Sequence, residues 1–141
     1  MKYKSTIDLI NDLEKHGHLI RIKEEVDPNL EMAAIQLRVF ENNGPAIFFE
    51  NIKGCEFQAV SNLFGTLERS KFIFRETLGK VQQLVELKNN PIKAIKSPFK
   101  NLSLGWFALN SLPKKTSGLP AGFSETTIDK LPLIKWWPND G

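Results

Sequence analysis

The feature that most limits what this chain can fold into is the spacing of its chain breakers. Gly17, Asp27-Pro28, Asn43-Gly44-Pro45, Gly54 and Gly65 separate apolar runs that are each long enough for only one short helix or one strand. Ser5-Thr6-Ile7-Asp8 has the form of a capping box, with a hydroxyl for the free first-turn amides and a carboxylate three residues on. Leu9, Ile10 and Leu13 follow at helical spacing, and Gly17 supplies a left-handed stop. Leu19-Ile20-Arg21-Ile22 reads as a short strand. Asp27-Pro28 predicts a second helix with Asp27 as N-cap and Pro28 at the first helical position. Leu30, Ala33, Ala34, Leu37 and Phe40 line one face of it, and Asn43-Gly44-Pro45 ends it.

Ala46-Ile47-Phe48-Phe49-Glu50 and Phe57-Gln58-Ala59-Val60 read as two strands of a hairpin joined through Ile52-Lys53-Gly54-Cys55. Thr66 is placed to cap a third helix running to about Leu78 and broken at Gly79, with Val81, Leu84 and Val85 on one face of its continuation. Pro91 and Pro98 bracket a shorter helical piece holding Ile92 and Ile95. The expected class is α+β: a small mixed sheet of about three strands flanked by helices and followed by an extended tail. Residues 1–97 form the N-terminal domain in this reading, and 98–130 a linker and irregular segment in which Gly118 and Gly122 bracket Pro120.

Leu131-Pro132-Leu133-Ile134-Lys135-Trp136-Trp137-Pro138 then places five large apolar residues just ahead of Gly141. Such a segment either docks back on the domain as a strand or leads into a further domain. The second is the expectation adopted, with 131–141 as the start of a central domain. A free-standing interaction or oligomerisation domain is the rival.

At 141 residues the chain buries roughly 70% of its unfolded surface and needs no disulfide or metal to fold. Nineteen Lys and Arg against 16 Asp and Glu leave +3, too mild to imply nucleic acid. One cysteine excludes an internal disulfide and points to a reducing, cytoplasmic setting. Neither a signal-like N-terminus nor an apolar run of about 20 residues is present, so no transmembrane segment is expected.

The candidate chemistry is thin. His16-Gly17-His18 offers two imidazoles, short of a closed zinc site, and suits a helix end. Glu24, Glu25, Asp27 and Glu31 form the one dense carboxylate cluster, which also fits the negative charge a helix start favours. Cys55 has no neighbouring histidine to activate it. Asn62-Leu63-Phe64-Gly65-Thr66 with Arg69 is more suggestive, because a strand-turn-helix junction with an arginine can hold an anion. Lys93, Lys96, Lys100, Lys114 and Lys115 near Phe99, Trp106 and Phe107 match a nucleic-acid surface only weakly. No residue set here reads as catalytic, cofactor-binding or metal-ligating.

Four blocks carry a resemblance: Leu9–Ile22; Val26-Asp27-Pro28-Asn29-Leu30-Glu31-Met32; Gly44–Gly54; and Ser61–Thr66 with Arg69. In this order they resemble the N-terminal region of UbiD-type decarboxylases, the 3-octaprenyl-4-hydroxybenzoate carboxy-lyase family. The closing Leu131-Pro132-Leu133 and Trp137-Pro138-Asn139-Asp140-Gly141 look like the entry to that family's central domain. The resemblance implies a longer parent with a split-barrel domain, homo-oligomeric, that removes CO2 from aromatic or α,β-unsaturated acids. A 4-hydroxybenzoate-type precursor in ubiquinone or menaquinone biosynthesis is the expected substrate. Prenylated flavin mononucleotide with Mn2+ and K+ is the implied cofactor set. The family's catalytic and ligand residues match no position in 1–141, so the fragment is expected to be structural and inactive, its partner being the split barrel and not nucleic acid. Asn62–Arg69, with an exposed guanidinium, is the expected contact to that barrel.

Overall fold

A computed structural model of the chain describes residues 3–89 and 124–140, together with Trp106, Leu109, Asn110, Leu112, Pro113, Lys115, Ser117 and Gly118. The helical piece holding Ile92 and Ile95, and most of the lysine and aromatic cluster, lie outside the described residues. The chain forms two compact units, one comprising Lys2–Ile73 with Glu125–Gly141 and the other Phe74–Ser124.

The first unit is built around one strand. Helix α1 (Thr6–Lys15) begins as its capping signal predicts: the Asp8 amide donates to Ser5 Oγ at 3.2 Å, and Asp8 Oδ2 accepts from the Lys4 amide at 3.1 Å. Gly17 takes the left-handed conformation, φ +73°, and turns the chain into β1 (Leu19–Val26). Helix α2 (Glu31–Glu41) carries the chain across to β2 (Ala46–Ile52), which pairs parallel with β1 from Leu19↔Ala46 to Val26↔Ile52. Strand β3 (Ala59–Ser61) returns antiparallel to β2, giving the order β1-β2-β3. The expected mixed three-stranded sheet flanked by helices is therefore the architecture found.

The apolar run Ala46–Phe49 has a reason in this topology. Ala46 and Phe48 face Ile10, Leu13, Leu19 and Ile73, whereas Ile47 and Phe49 face Val26, Met32 and Ile52. Successive side chains of a strand point to opposite faces. A central strand covered on both faces is therefore apolar at every position rather than at alternate ones.

Several boundaries differ from expectation. Strand β1 runs on past Ile22 to Val26 through Lys23, Glu24 and Glu25, with a shift of register between Ile22 and Glu25. Lys23 and Glu24 fall inside that irregularity, pairing resumes at Glu25↔Asn51, and all three charges face water from an edge strand. Helix α2 starts at Glu31, not at Pro28, and its N-cap is Leu30 at φ +72° with no side-chain cap. Asp27 instead folds the preceding loop, Oδ1 accepting from the Asn29 amide at 2.8 Å, while Glu31 Oε2 reaches back to the Asp27 amide at 2.8 Å. The break between the next two helices falls at 74–77 rather than at Gly79. Helix α3 is Leu67–Ile73 in the first unit, and α4 is Leu78–Asn89 in the second, with Gly79 inside its first turn. Thr77 makes the break, its amide and hydroxyl both donating to the Phe74 carbonyl, at 2.9 and 3.1 Å.

Of the C-terminal segment, Ile134 packs against the Met32–Phe49 cluster, and Lys135 pairs with the α2 entry loop. The Leu30 amide donates to the Lys135 carbonyl at 3.1 Å, and the Lys135 amide to the Pro28 carbonyl at 3.0 Å. Leu133 and Trp137 face outward.

Candidate functional site

The junction singled out in the sequence, Asn62–Arg69, is well ordered by local chemistry, but its arginine is not presented to solvent. Asn62 ends β3 in the left-handed region at φ +58°, which an Asn adopts more readily than most residues. Its Nδ2 donates to the Pro45 carbonyl at 2.9 Å and the Gly44 carbonyl at 3.3 Å. Thr66 caps α3, its Oγ1 accepting from the Arg69 amide at 3.2 Å.

Arg69 is 2% exposed, which corrects the expected exposed guanidinium. Nε donates to the Leu63 carbonyl at 3.0 Å, Nη1 to Gly44 at 2.9 Å and Nη2 to Asn62 at 2.6 Å. Burial pushes its pKa down from the ordinary value. An arginine nevertheless stays charged in proteins, and here backbone carbonyl dipoles hold the charge. An open cavity of about 380 Å3 lies beside it, lined by His18, Gly44, Thr66, Glu68 and Arg69. The guanidinium fork is committed to backbone carbonyls, and Glu68 adds negative charge, so the anion-holding role is weakened.

The remaining candidates take structural places. His16 and His18 lie against the Phe72 ring, with centroids 4.9 and 4.5 Å away. Asp27 pairs with Lys53 at 2.9 Å, and that hydrogen bond followed by the one from the Asn29 amide lowers its pKa. The same Asp27 raises the pKa of Lys53. Glu24 and Glu25 stay exposed on β1. Cys55 Sγ donates to the Lys130 carbonyl at 3.2 Å and accepts from the Phe57 amide at 3.3 Å. Among the described residues no group of three or more His, Cys, Asp or Glu side chains is placed to hold a metal ion. The described residues therefore offer no ligand set that fits Mn2+.

One charge constellation was missed in the sequence. Arg21 on β1 forms a two-point pair with Glu14 on α1, at 3.0 and 2.6 Å, and a third bond to Glu50 on β2 at 2.6 Å. Its guanidinium also lies over the Phe48 ring, 4.9 Å from the centroid. Parallel pairing of β1 with β2 brings Arg21 and Glu50 together, and spacing along the chain gives no sign of it.

The second missed feature is apolar. Leu30, Ala33, Ala34, Leu37 and Phe40, the expected stripe of α2, line an open groove of about 320 Å3 together with Gln36 and Trp136. Leu37 is 56% exposed and Phe40 54%. The helix meets the core through Met32, Ile35 and Val39, and of the expected stripe Ala33 is buried as well. Both stripes obey helical spacing, so periodicity alone does not choose between them.

What the described residues assemble is an α+β scaffold, braced by Arg21 and Arg69, with an apolar groove open on one helix. Residues 10–88 match the family model described as the 3-octaprenyl-4-hydroxybenzoate carboxy-lyase N-terminal domain, and the chain belongs to that family, the UbiD decarboxylases, as its N-terminal domain. A protein of Chlamydia caviae called "Uncharacterized protein" is 33% identical over 144 residues, an alignment that takes in 100% of this chain and 25% of the relative. The chain thus spans about a quarter of the length of the curated relatives it matches. The open form of vanillic acid decarboxylase from Sedimentibacter hydroxybenzoicus is 34% identical over 63% of this chain and 20% of its own, with a TM-score of 0.50. An evolved dimeric form of the UbiD-class enzyme HmfF from Pelotomaculum thermopropionicum, in complex with prFMN, is 30% identical over 50% of this chain and 16% of its own, with a TM-score of 0.45. No helix among the described residues is long and apolar enough to cross a membrane.

Proposed function

We propose that this chain is the structural N-terminal domain of a cytoplasmic decarboxylase that releases CO2 from an aromatic or α,β-unsaturated acid, of 4-hydroxybenzoate type in quinone biosynthesis. The domain itself performs no chemistry. The observation that carries the reading is the family match over residues 10–88, joined to the 34% identity with a vanillic acid decarboxylase. Breaking the bond to the carboxylate leaves an electron pair on the substrate carbon, for which prenylated flavin provides a sink when bound, and a proton completes the product. In this reading the flavin, Mn2+ and K+ are held by parts of the protein outside this chain, and 131–141 leads toward the central split barrel.

The structural roles of the charged groups support an inactive fragment. Arg69 is committed to three carbonyls, Arg21 to Glu14 and Glu50, and Asp27 to Lys53 and its own loop. The test is CO2 release from a panel of hydroxybenzoic and cinnamic-type acids. The full polypeptide reconstituted with prenylated flavin is expected to release it, and the 141-residue chain given the same cofactor is not. Turnover by the short chain, or none by the reconstituted full polypeptide on any such acid, overturns the proposal.

A further inference from the structure

We infer that Asn43-Gly44 is a modification site of this domain: a spontaneous deamidation site that the fold holds closed through Arg69 and that converts only when the grip on Gly44 opens. It is the one asparagine in the 141 residues that is followed by glycine. Asparagine is thermolabile because the amide nitrogen of the next residue can attack its carboxamide carbon. Glycine leaves that nitrogen open to close approach. Asn43 is exposed, so water and base reach the carboxamide.

Two separate demands of the backbone put this labile pair here. Asn43 holds φ +51°, in the left-handed region where asparagine is favoured over most residues. Gly44 has no room for a side chain, since a Cβ on it would stand 2.7 Å from Val39 Cγ1 and 2.9 Å from the Val39 carbonyl oxygen. The turn from α2 into β2 keeps the pair for its shape, and the lability comes with it.

In the reaction the Gly44 nitrogen gives its proton to solvent and bonds Asn43 Cγ. The Cγ–Nδ2 bond breaks, and ammonia leaves with a proton taken from solvent. Water then opens the cyclic imide at one of its two carbonyls, leaving aspartate or isoaspartate. The sum is one water consumed and one ammonia released, with no oxidant or cofactor.

The native fold opposes the first step from both sides of Gly44. Its amide donates to the Val39 carbonyl at 2.8 Å, which ties up the proton that must leave. Its carbonyl accepts from Arg69 Nη1 at 2.9 Å and from Asn62 Nδ2 at 3.3 Å. While these bonds last the nitrogen does not swing onto Cγ, so conversion requires a local opening. Where opening and reclosing outpace the chemistry, the rate follows the population of the open form. Isoaspartate then adds a main-chain carbon just ahead of Ala46, whose amide pairs with the His18 carbonyl at 2.9 Å. The original grip is not remade, and the opening leaves a permanent mark.

The test is peptide mapping by mass spectrometry of the full polypeptide held in warm, mildly alkaline buffer, beside a free peptide spanning Val39–Phe48. The peptide is expected to convert at Asn43 about tenfold faster, or more, than the folded chain. Arg69→Lys is expected to speed conversion in the folded chain about threefold or more while β2 amides stay protected from hydrogen exchange. Should that variant lose β2 protection, the parent in sub-denaturing urea decides: conversion that rises with exchange of the Gly44 amide, ahead of the β2 amides, supports the gate. Conversion of the folded parent at the peptide's rate overturns the inference. So does an Arg69→Lys rate equal to the parent's with β2 still protected, or conversion in urea that follows only global unfolding.

Discussion

Arg69 and Gly44, 25 residues apart in the chain, are joined by a 2.9 Å hydrogen bond from Nη1 to the carbonyl. The bond ties the turn that follows α2 to the first turn of α3. Together with the bonds to Leu63 and Asn62 it closes the end of the sheet with one side chain.

Replacing Arg69 by Met removes three bonds from a charged donor, leaving the Gly44 carbonyl with Asn62 Nδ2, the Asn62 carbonyl with the Gly65 amide, and the Leu63 carbonyl without its guanidinium. Each such loss costs about 1–3 kcal/mol, so Arg69→Met is expected to lower stability by about 3 kcal/mol or more in urea melts. Arg69→Lys should recover only part, because a compact ammonium cannot span three acceptors as the planar fork does. Equal stability of the Met variant and the parent would reduce the brace to decoration.

Gly65 is required for a different reason. A Cβ on it would stand 1.8 Å from Asn62 Oδ1, so Gly65→Ala must displace the amide that bonds Gly44 and Pro45. The expected cost is about 1–3 kcal/mol, in the range of a broken buried bond. Asn62→Ala combined with Gly65→Ala should cost clearly less than the sum of the two, since both remove the same contact. Additive costs would show that the clash is relieved elsewhere.

The contrast between these residues and the sequence reading has a physical basis. The cap at Ser5, the stop at Gly17 and the cap at Thr66 were legible because each is a contact between residues three or four apart, or a local φ requirement. The small sheet was legible from Ala46–Glu50 and Phe57–Val60 on either side of the Gly54 turn, although the strand that returns is the shorter Ala59–Ser61. The start of α2 was not. Asp27 has two competing local uses, as a cap and as a loop fold, and its pairing with Lys53 across 26 residues favours the second. Arg69 was recognised as special but given the wrong direction, because burial is decided by which carbonyls converge on it. Trp136 stood out as an apolar residue near the end of the chain, yet its place beside Leu37 and Phe40 depends on pairing between residues 135 and 30.

Acid should weaken the domain through Glu14. Its hydrogen bond from Arg21 holds its pKa below the ordinary glutamate value. A depressed carboxylate contributes stability that is complete above the unfolded value, about 4.3, and disappears as pH falls through the lower folded value. Asp27, held down first by Lys53, acts with the same sign. Glu14→Gln should therefore flatten the fall in stability below about pH 4.3 and leave a loss of at most about 1 kcal/mol at pH 7, as for solvent-facing ion pairs. An acid limb that keeps its full slope in the Gln variant would place the titration on other groups.

The two-faced sheet makes a prediction about coupling. Ile10 belongs to the cluster on the Phe48 face and Ile52 to the cluster on the Phe49 face. Removing one methyl from either, as Ile10→Val or Ile52→Val, should cost about 0.5–1.5 kcal/mol. Because β2 lies between the clusters, the double variant should lose the sum to within about 0.5 kcal/mol, as independent sites do. Phe48→Leu, in contact with the Ile10 cluster, should depart from additivity when combined with Ile10→Val and not when combined with Ile52→Val. Urea melts of the three singles and three doubles decide it. Strong coupling between Ile10 and Ile52 would mean that the sheet transmits packing strain, and that the two clusters behave as a single core.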